Sequence, residues 1–381
     1  MKKIIIIHCA KGYGGSTISL LDMIDMLRKD YDISVYISVK ADRRIKECLI
    51  ESEVAMIEYN KEPWILAHYS GINAPIKLGF WIGLLRFINN EWWIRTISKE
   101  RADIVLLNSS VLSCLGAALK KNGFRVICYN RETHNMNYHG ILNNFMRFKL
   151  NKMDHVIFLS EIEKKHFHLD TNCSTVSDAF NQTIITKPIK KKDARQILGL
   201  EQDTFYLLFL GGISKLKGTL TILKAMELLR TNYNIKLLIL GDLESSAAGY
   251  YSQKCKSMMH DNIQVYGLQK SAGLFYSAAD AVVFPSSLPH QARPIYEAGF
   301  YSLPVIISDF EATKEEVIDG FNGLVFEPKN SIELRNAILR LYDNYDMRKN
   351  IGINNNELSN KLHSMENSKK RLILIIESIV N

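Results

Sequence analysis

With 381 residues and 47% hydrophobic content, the chain is too long for one ordinary core and too apolar for a disordered protein. A formal net charge of +8 favours an anionic partner: nucleic acid, anionic lipid or a phosphorylated small molecule. The six cysteines are scattered without a CxxC pair, which argues against zinc and for reduced thiols in the cytosol.

The N-terminal KIIIIHCA (3–10) reads as a buried strand. Its apolar run is too short for a signal peptide, and nowhere does the chain hold about 18 consecutive apolar residues. KGYGG is then a glycine turn, and 16–29 has apolar residues at helical spacing. Strands follow at 33–38, 54–59, 103–108, 124–130 and 155–160, with helices between them. Strand and helix in alternation predict a parallel doubly wound sheet. The polar stretch ITKPIKKKDARQ (185–196) reads as a linker. Beyond it the plan repeats, with strands at 205–212, 235–242, 263–267, 280–287 and 303–309. The expected layout is a first Rossmann-like domain over 1–184, a linker over 185–198, a second over 199–360 and a C-terminal helix over 361–381 that packs back on the first domain. Two such domains face each other across a cleft in this reading, with ligands at the carboxyl ends of the strands.

Candidate residues follow those strand ends. In AKGYGGST, Gly14, Gly15 and Ser16 open the first helix, where backbone amides favour an anion; a ligand-free turn is the plain alternative. Asp-x-Asp in KDYD (29–32) reads as a helix-exit turn rather than a metal site. All four tryptophans, Trp64, Trp81, Trp92 and Trp93, lie within 64–93 among Lys77, Arg86 and Arg95. That mixture fits either membrane-surface contact or a packed helix. Arg131, Glu132 and His134 follow the strand 124–130, and a histidine there is a candidate base or polar anchor. Lys217 stands beside Gly218 at a helix start, suited to a phosphate. In PHQARPIYEAG (289–299), Arg293 stands at a positive helix end, and Glu297 one turn later suits a pair of ribose hydroxyls. A structural Arg–Glu pair at i, i+4 is the competing reading.

Taken together and in order, LGGISKLKG, LLILGD, VYGLQKSAGLFYSAADAVVFPSS, the glutamate helix, LPVIISD and DGFNGLVF resemble a family 4 retaining glycosyltransferase of the GT-B fold (glycosyl transferases group 1). The resemblance is strongest over about 200–345. It implies that Glu297 holds the nucleotide ribose, Lys217 the diphosphate, and Gln291 and Ala292 the donor phosphate and sugar through backbone amides. The nucleobase falls near Gly267 and Leu268, and the first-domain glycine pair on Gly14 and Gly15. Two family residues are replaced: the first motif glutamate by Pro289 and the diphosphate arginine by Gly212. Arg293 is expected to supply the missing cation, so that Arg293→Ala loses activity while staying folded. The catalytic set implied is Glu297, Lys217, Arg293 and His134.

The expected function is transfer of a sugar from a UDP or GDP sugar to an acceptor hydroxyl in cell-surface polysaccharide synthesis (capsule, O-antigen or lipopolysaccharide). No cofactor, metal or nucleic acid is expected. The acceptor is a glycan, with a polyprenyl-diphosphate-linked sugar one candidate. The location is cytoplasmic, with peripheral contact at the inner face of the membrane. The alternatives are a glycosyltransferase-like binding subunit without catalysis and a nucleotide-sugar epimerase of the same fold.

Overall fold

The structure is a computed structural model and describes residues 1–66, 78–132, 141–180, 187–242, 249–269, 271–289, 291 and 293–380. The chain divides into two compact units: Met1–Ala179 together with Met365–Asn381, and Phe180–Ser364.

The first unit is built on a seven-stranded sheet in the order β3-β2-β1-β4-β5-β6-β7. Its strands are β1 (Lys3–Ile7), β2 (Asp32–Ser38), β3 (Ala55–Tyr59), β4 (Ile104–Leu107), β5 (Val126–Asn130), β6 (His155–Phe158) and β7 (Cys173–Thr175). Every pairing is parallel; Ile4 of β1, for example, sits opposite Ile33 of β2 and Ile104 of β4. Helices cover both faces of a parallel sheet, which is why β1 reads KIIII without polar alternation. Ile5 and Ile7 enter a core with Trp93, Leu107 and Phe158.

The second unit has a six-stranded sheet in the order β10-β9-β8-β11-β12-β13. These strands are β8 (Phe205–Leu210), β9 (Ile235–Leu240), β10 (Ile263–Val265), β11 (Ala281–Phe284), β12 (Val305–Ser308) and β13 (Gly323–Phe326), again all parallel. Strand periodicity splits β8 between two cores. Phe205, Leu207 and Phe209 pack on one face of the sheet, and Tyr206 and Leu208 on the other.

One sequence expectation changes here. The stretch read as linker contains a helix, Lys191–Leu198, belonging to the second unit. Its Arg195 is buried and donates to Asp280 Oδ2 (2.6 Å) and to the Ala278 carbonyl (3.0 Å). Asp280 also accepts from Lys191 Nζ (2.7 Å) and from the Tyr206 backbone N–H (2.8 Å). A charge-rich sequence is thus held by a carboxylate 85 residues away. The helix Met365–Val380 packs with Gly15–Leu27 of the first unit; its Leu372, Ile375 and Ile376 are buried, and Lys369 is paired to Asp30 at 2.7 Å. Asp30 of the Asp-x-Asp pair is therefore engaged in an ion pair.

The tryptophan segment divides between its two readings. Trp64 and Trp93 are core residues, and Trp93 Nε1 donates to the Lys61 carbonyl at 3.0 Å. Trp81 is 55% exposed, and Leu85, Phe87 and Ile88 are exposed beside it. Lys77 lies outside the described residues.

Candidate active site

In each sheet the strand order reverses at one place, between β1 and β4 and between β8 and β11. Loops leave these neighbouring strands in opposite directions, which opens a crevice at their carboxyl ends where α/β proteins bind ligands.

At the β8/β11 crevice the chain leaves β8 through Gly211 and Gly212 and turns into the helix Thr219–Glu227. Gly212 has φ of +56°, and a Cβ there would lie 2.2 Å from the Asp242 carbonyl oxygen. Any side chain at this position would be strained and would meet the Asp242 backbone. Gly218 caps the helix at φ +74°, and its Cβ would meet the Pro285 carbonyl at 1.7 Å. The turn is thus pressed against the end of β11. It is stitched there by the Ser287 backbone N–H (2.8 Å) and Ser286 Oγ (3.2 Å), both donating to the Leu216 carbonyl. Lys217 is fixed between those two contacts. Its Nζ reaches the Leu210 carbonyl only at 3.5 Å, and burial lowers its pKa from the ordinary lysine value. The helix carries no acidic residue in its first turn, and its leading amides are engaged within the fold: Gly218 N–H by the Lys215 carbonyl (3.3 Å), Thr219 N–H by the Ser214 carbonyl (3.2 Å) and Leu220 N–H by the Tyr251 hydroxyl (3.1 Å). A largely buried ammonium with one long contact, at the positive end of a helix, suits an anion.

Across the crevice, β11 leads to the helix Arg293–Phe300. Glu297 is buried and bound from two sides: Arg293 Nε donates to Oε1 at 3.0 Å and the Tyr276 hydroxyl to Oε2 at 2.8 Å. Burial, and then the Glu297 carboxylate, push the Tyr276 phenol well above its usual pKa, so it remains a donor. The i, i+4 pair that competed in the sequence reading therefore forms. A carboxylate has about four acceptor positions, of which these two bonds occupy two. Gln291 is half-buried, with Nε2 3.5 Å from the Ala312 carbonyl. Gly267 has φ of +65° and accepts from the Gly241 backbone N–H at 2.7 Å, which holds exposed Leu268 at the mouth of β10. Ala292 lies outside the described residues.

In the first unit, Gly14 caps the helix Gly15–Leu27 with extended backbone and no side-chain bond, and a Cβ on it would meet nothing within 4 Å. Gly15 and Ser16 are exposed. Arg131 and Glu132 are brought to the β1/β4 crevice but are committed to the fold. Arg131 is buried, donates to Asn108 Oδ1 (2.5 Å) and Asp178, and stacks over Tyr129 at 4.0 Å. Glu132 accepts from the Ser110 backbone N–H (3.0 Å) and the Ser109 and Ser110 hydroxyls, capping the turn after β4. His134 lies outside the described residues. Sequence reasoning passed over His8, Asn108 and Tyr276. The signal for His8 was a lone imidazole closing the run KIIII at a strand's carboxyl end. Among the described residues, no three His, Cys, Asp or Glu side chains are grouped to hold a metal ion.

Residues 190–358 match the family described as Glycosyl transferases group 1. The second unit carries a glycosyl transferases group 1 domain. An uncharacterised glycosyltransferase of Methanocaldococcus jannaschii is 28% identical over 65% of this chain and 67% of its own length. A lipopolysaccharide 1,2-N-acetylglucosaminetransferase of Salmonella typhimurium is 32% identical over 38% of this chain and 41% of its own. The match to that enzyme thus spans less than half its length. The crystal structure of Anabaena HepE in complex with UDP and glucose superposes with a TM-score of 0.81 at 17% identity, covering 99% of this chain and 100% of that one. That likeness shows the fold: two parallel-sheet Rossmann-like domains of the GT-B kind. Lys217, Gly218 and Glu297 all lie within the group 1 domain.

Proposed function

We propose that the chain is a retaining, metal-independent glycosyltransferase that takes a sugar from a nucleoside diphosphate sugar. The observation carrying this reading is Lys217, largely buried at a helix start in the β8/β11 crevice inside the group 1 domain. When the anomeric C–O bond breaks, negative charge develops on the departing diphosphate. The Lys217 ammonium, at the positive end of the helix Thr219–Glu227, stabilises that charge where water competes poorly. Glu297 accepts hydrogen bonds from the ribose while Arg293 and Tyr276 hold its carboxylate in place. HepE, whose structure was determined with UDP and glucose, supports a nucleotide sugar as donor. The Salmonella relative supports a glycan acceptor in cell-surface polysaccharide synthesis. Exposed Trp81, Leu85, Phe87 and Ile88 support peripheral contact of the first unit with a membrane that carries such an acceptor.

Titration calorimetry with UDP, GDP and their glucose conjugates tests the donor site. One nucleotide diphosphate is expected to bind, with affinity lost in Lys217→Ala. Binding without release of sugar to water or to any acceptor favours the non-catalytic subunit suggested by Pro289 and Gly212. Binding that is unchanged in Lys217→Ala removes the site proposed here.

A further inference from the structure

A helix start is ordinarily capped by its own N-cap side chain, whose oxygen accepts from the second or third amide of the helix. At Thr219–Glu227 the N-cap is Gly218, which has no side chain to offer. Glycine is required there, because φ is +74° and a Cβ would meet the Pro285 carbonyl at 1.7 Å. The cap comes instead from another helix, Tyr250–Ser257. The Tyr251 hydroxyl accepts from the Leu220 backbone N–H, the second amide of the helix, at 3.1 Å and donates to the Ser214 carbonyl at 3.3 Å. One oxygen thus joins the start of the turn to the helix that follows it, with Lys217 between the two bonds. Burial raises the pKa of this phenol, so it keeps the proton that it donates.

Further bonds close the turn on itself. The Ser214 backbone N–H donates to Thr219 Oγ1 (2.9 Å), the Thr219 N–H to the Ser214 carbonyl (3.2 Å) and the Lys217 N–H to Ser214 Oγ (3.3 Å). Bonds of this kind fix the shape of the turn but not its place. Its place is set from outside, by Ser286 and Ser287 on the Leu216 carbonyl and by Tyr251 on Ser214 and Leu220. Removing the Tyr251 hydroxyl releases the chain on both sides of Lys217 and leaves the anchor at Leu216. We propose that Tyr251 is a positioning residue of the anion site, acting through Lys217: it holds the ammonium where charge develops on the departing diphosphate. This deepens the donor reading above and rests on it. The Tyr251 ring packs against the core of the second unit, so Tyr251→Phe keeps that packing and removes the hydroxyl alone.

The test uses the full chain, with UDP measured by titration calorimetry and uridine by competition against UDP. Tyr251→Phe is expected to weaken UDP about 2- to 12-fold, the range for one neutral hydrogen bond, and to leave uridine, which carries no phosphate, unchanged. In a Lys217→Gln background Tyr251→Phe is expected to add no further loss, since it acts through the missing ammonium. A second readout needs no nucleotide: the 13C signal of the Lys217 ε-carbon, identified by Lys217→Arg and followed with pH. Its midpoint is expected below the ordinary 10.5 in the parent and to rise in Tyr251→Phe, as a loosened turn admits water to the ammonium. An unchanged Lys217 midpoint overturns the proposal. Equal weakening of UDP and uridine, or the same loss of UDP affinity in the Lys217→Gln background, marks a merely structural tyrosine and overturns it too. UDP that fails to bind the parent overturns the donor reading instead, and the midpoint still decides whether Tyr251 positions Lys217.

Discussion

Breaking the Arg293–Glu297 pair is the sharpest test of how the second crevice is built. Both side chains are nearly sealed, at 8% and 7% exposure, and share a 3.0 Å charge-assisted bond. Arg293→Ala leaves the Glu297 carboxylate buried with Tyr276 as its remaining partner among the bonds described above. Removing one member of a buried pair costs about 3–5 kcal/mol, because the surviving charge stays out of water uncompensated. For a unit of this size each kcal/mol moves the melting temperature by about 2–4 °C, so a fall of about 6–20 °C is expected. Glu297→Gln strands the guanidinium instead and should fall in the same range. The double variant Arg293→Ala/Glu297→Gln removes both charges and should recover much of the loss, giving a strong coupling in a double-mutant cycle. Differential scanning calorimetry of the four proteins reads this directly. A melting temperature for Arg293→Ala within about 2 °C of the parent, or strict additivity in the cycle, refutes the buried-pair reasoning. The outcome bears on function as well. The sequence led to the expectation that Arg293→Ala stays folded and loses only activity; its burial means activity must be measured well below a lowered transition.

Lys217 predicts a pH dependence. A bound diphosphate favours the charged amine, so nucleotide affinity should be flat below the lowered lysine pKa and fall as pH rises through it, short of the ordinary 10.5; Lys217→Arg should flatten the curve in titration calorimetry. Restoring the family arginine by Gly212→Arg should lower stability by at least the roughly 1–2 kcal/mol of left-handed backbone, with the Asp242 clash added, and thermal melting should show it. Replacing Trp81, Leu85 and Ile88 together by serine should reduce sedimentation with vesicles containing anionic lipid while leaving the melting temperature nearly unchanged, since all three are exposed. Unchanged sedimentation removes membrane contact at this face.

The strands were legible because parallel sheets demand long apolar runs, and KIIII, FYLLFL and IKLLIL satisfy that locally. Lys217 and Glu297 were legible because a turn and a helix start are encoded within a few residues. What escaped the sequence depends on partners far along the chain. Arg195 looks like one more linker charge until Asp280 meets it. Arg131 and Glu132 look like free loop charges until Asp178 and the turn after β4 claim them. Trp81 and Trp93 carry the same side chain on adjoining helices, and only packing separates the exposed one from the buried one. His8 is legible as a polar residue at a strand end, but its partner Asn108 stands 100 residues later.

The return of Met365–Val380 to the first unit sets an order of completion during synthesis. Every segment of the second unit has left the ribosome before this helix emerges, so the usual N-terminal-first sequence is reversed for final packing. Until then the part of Gly15–Leu27 that packs with Met365–Val380 stays open on the nascent chain. The earlier-born unit is therefore the one whose packing is completed last.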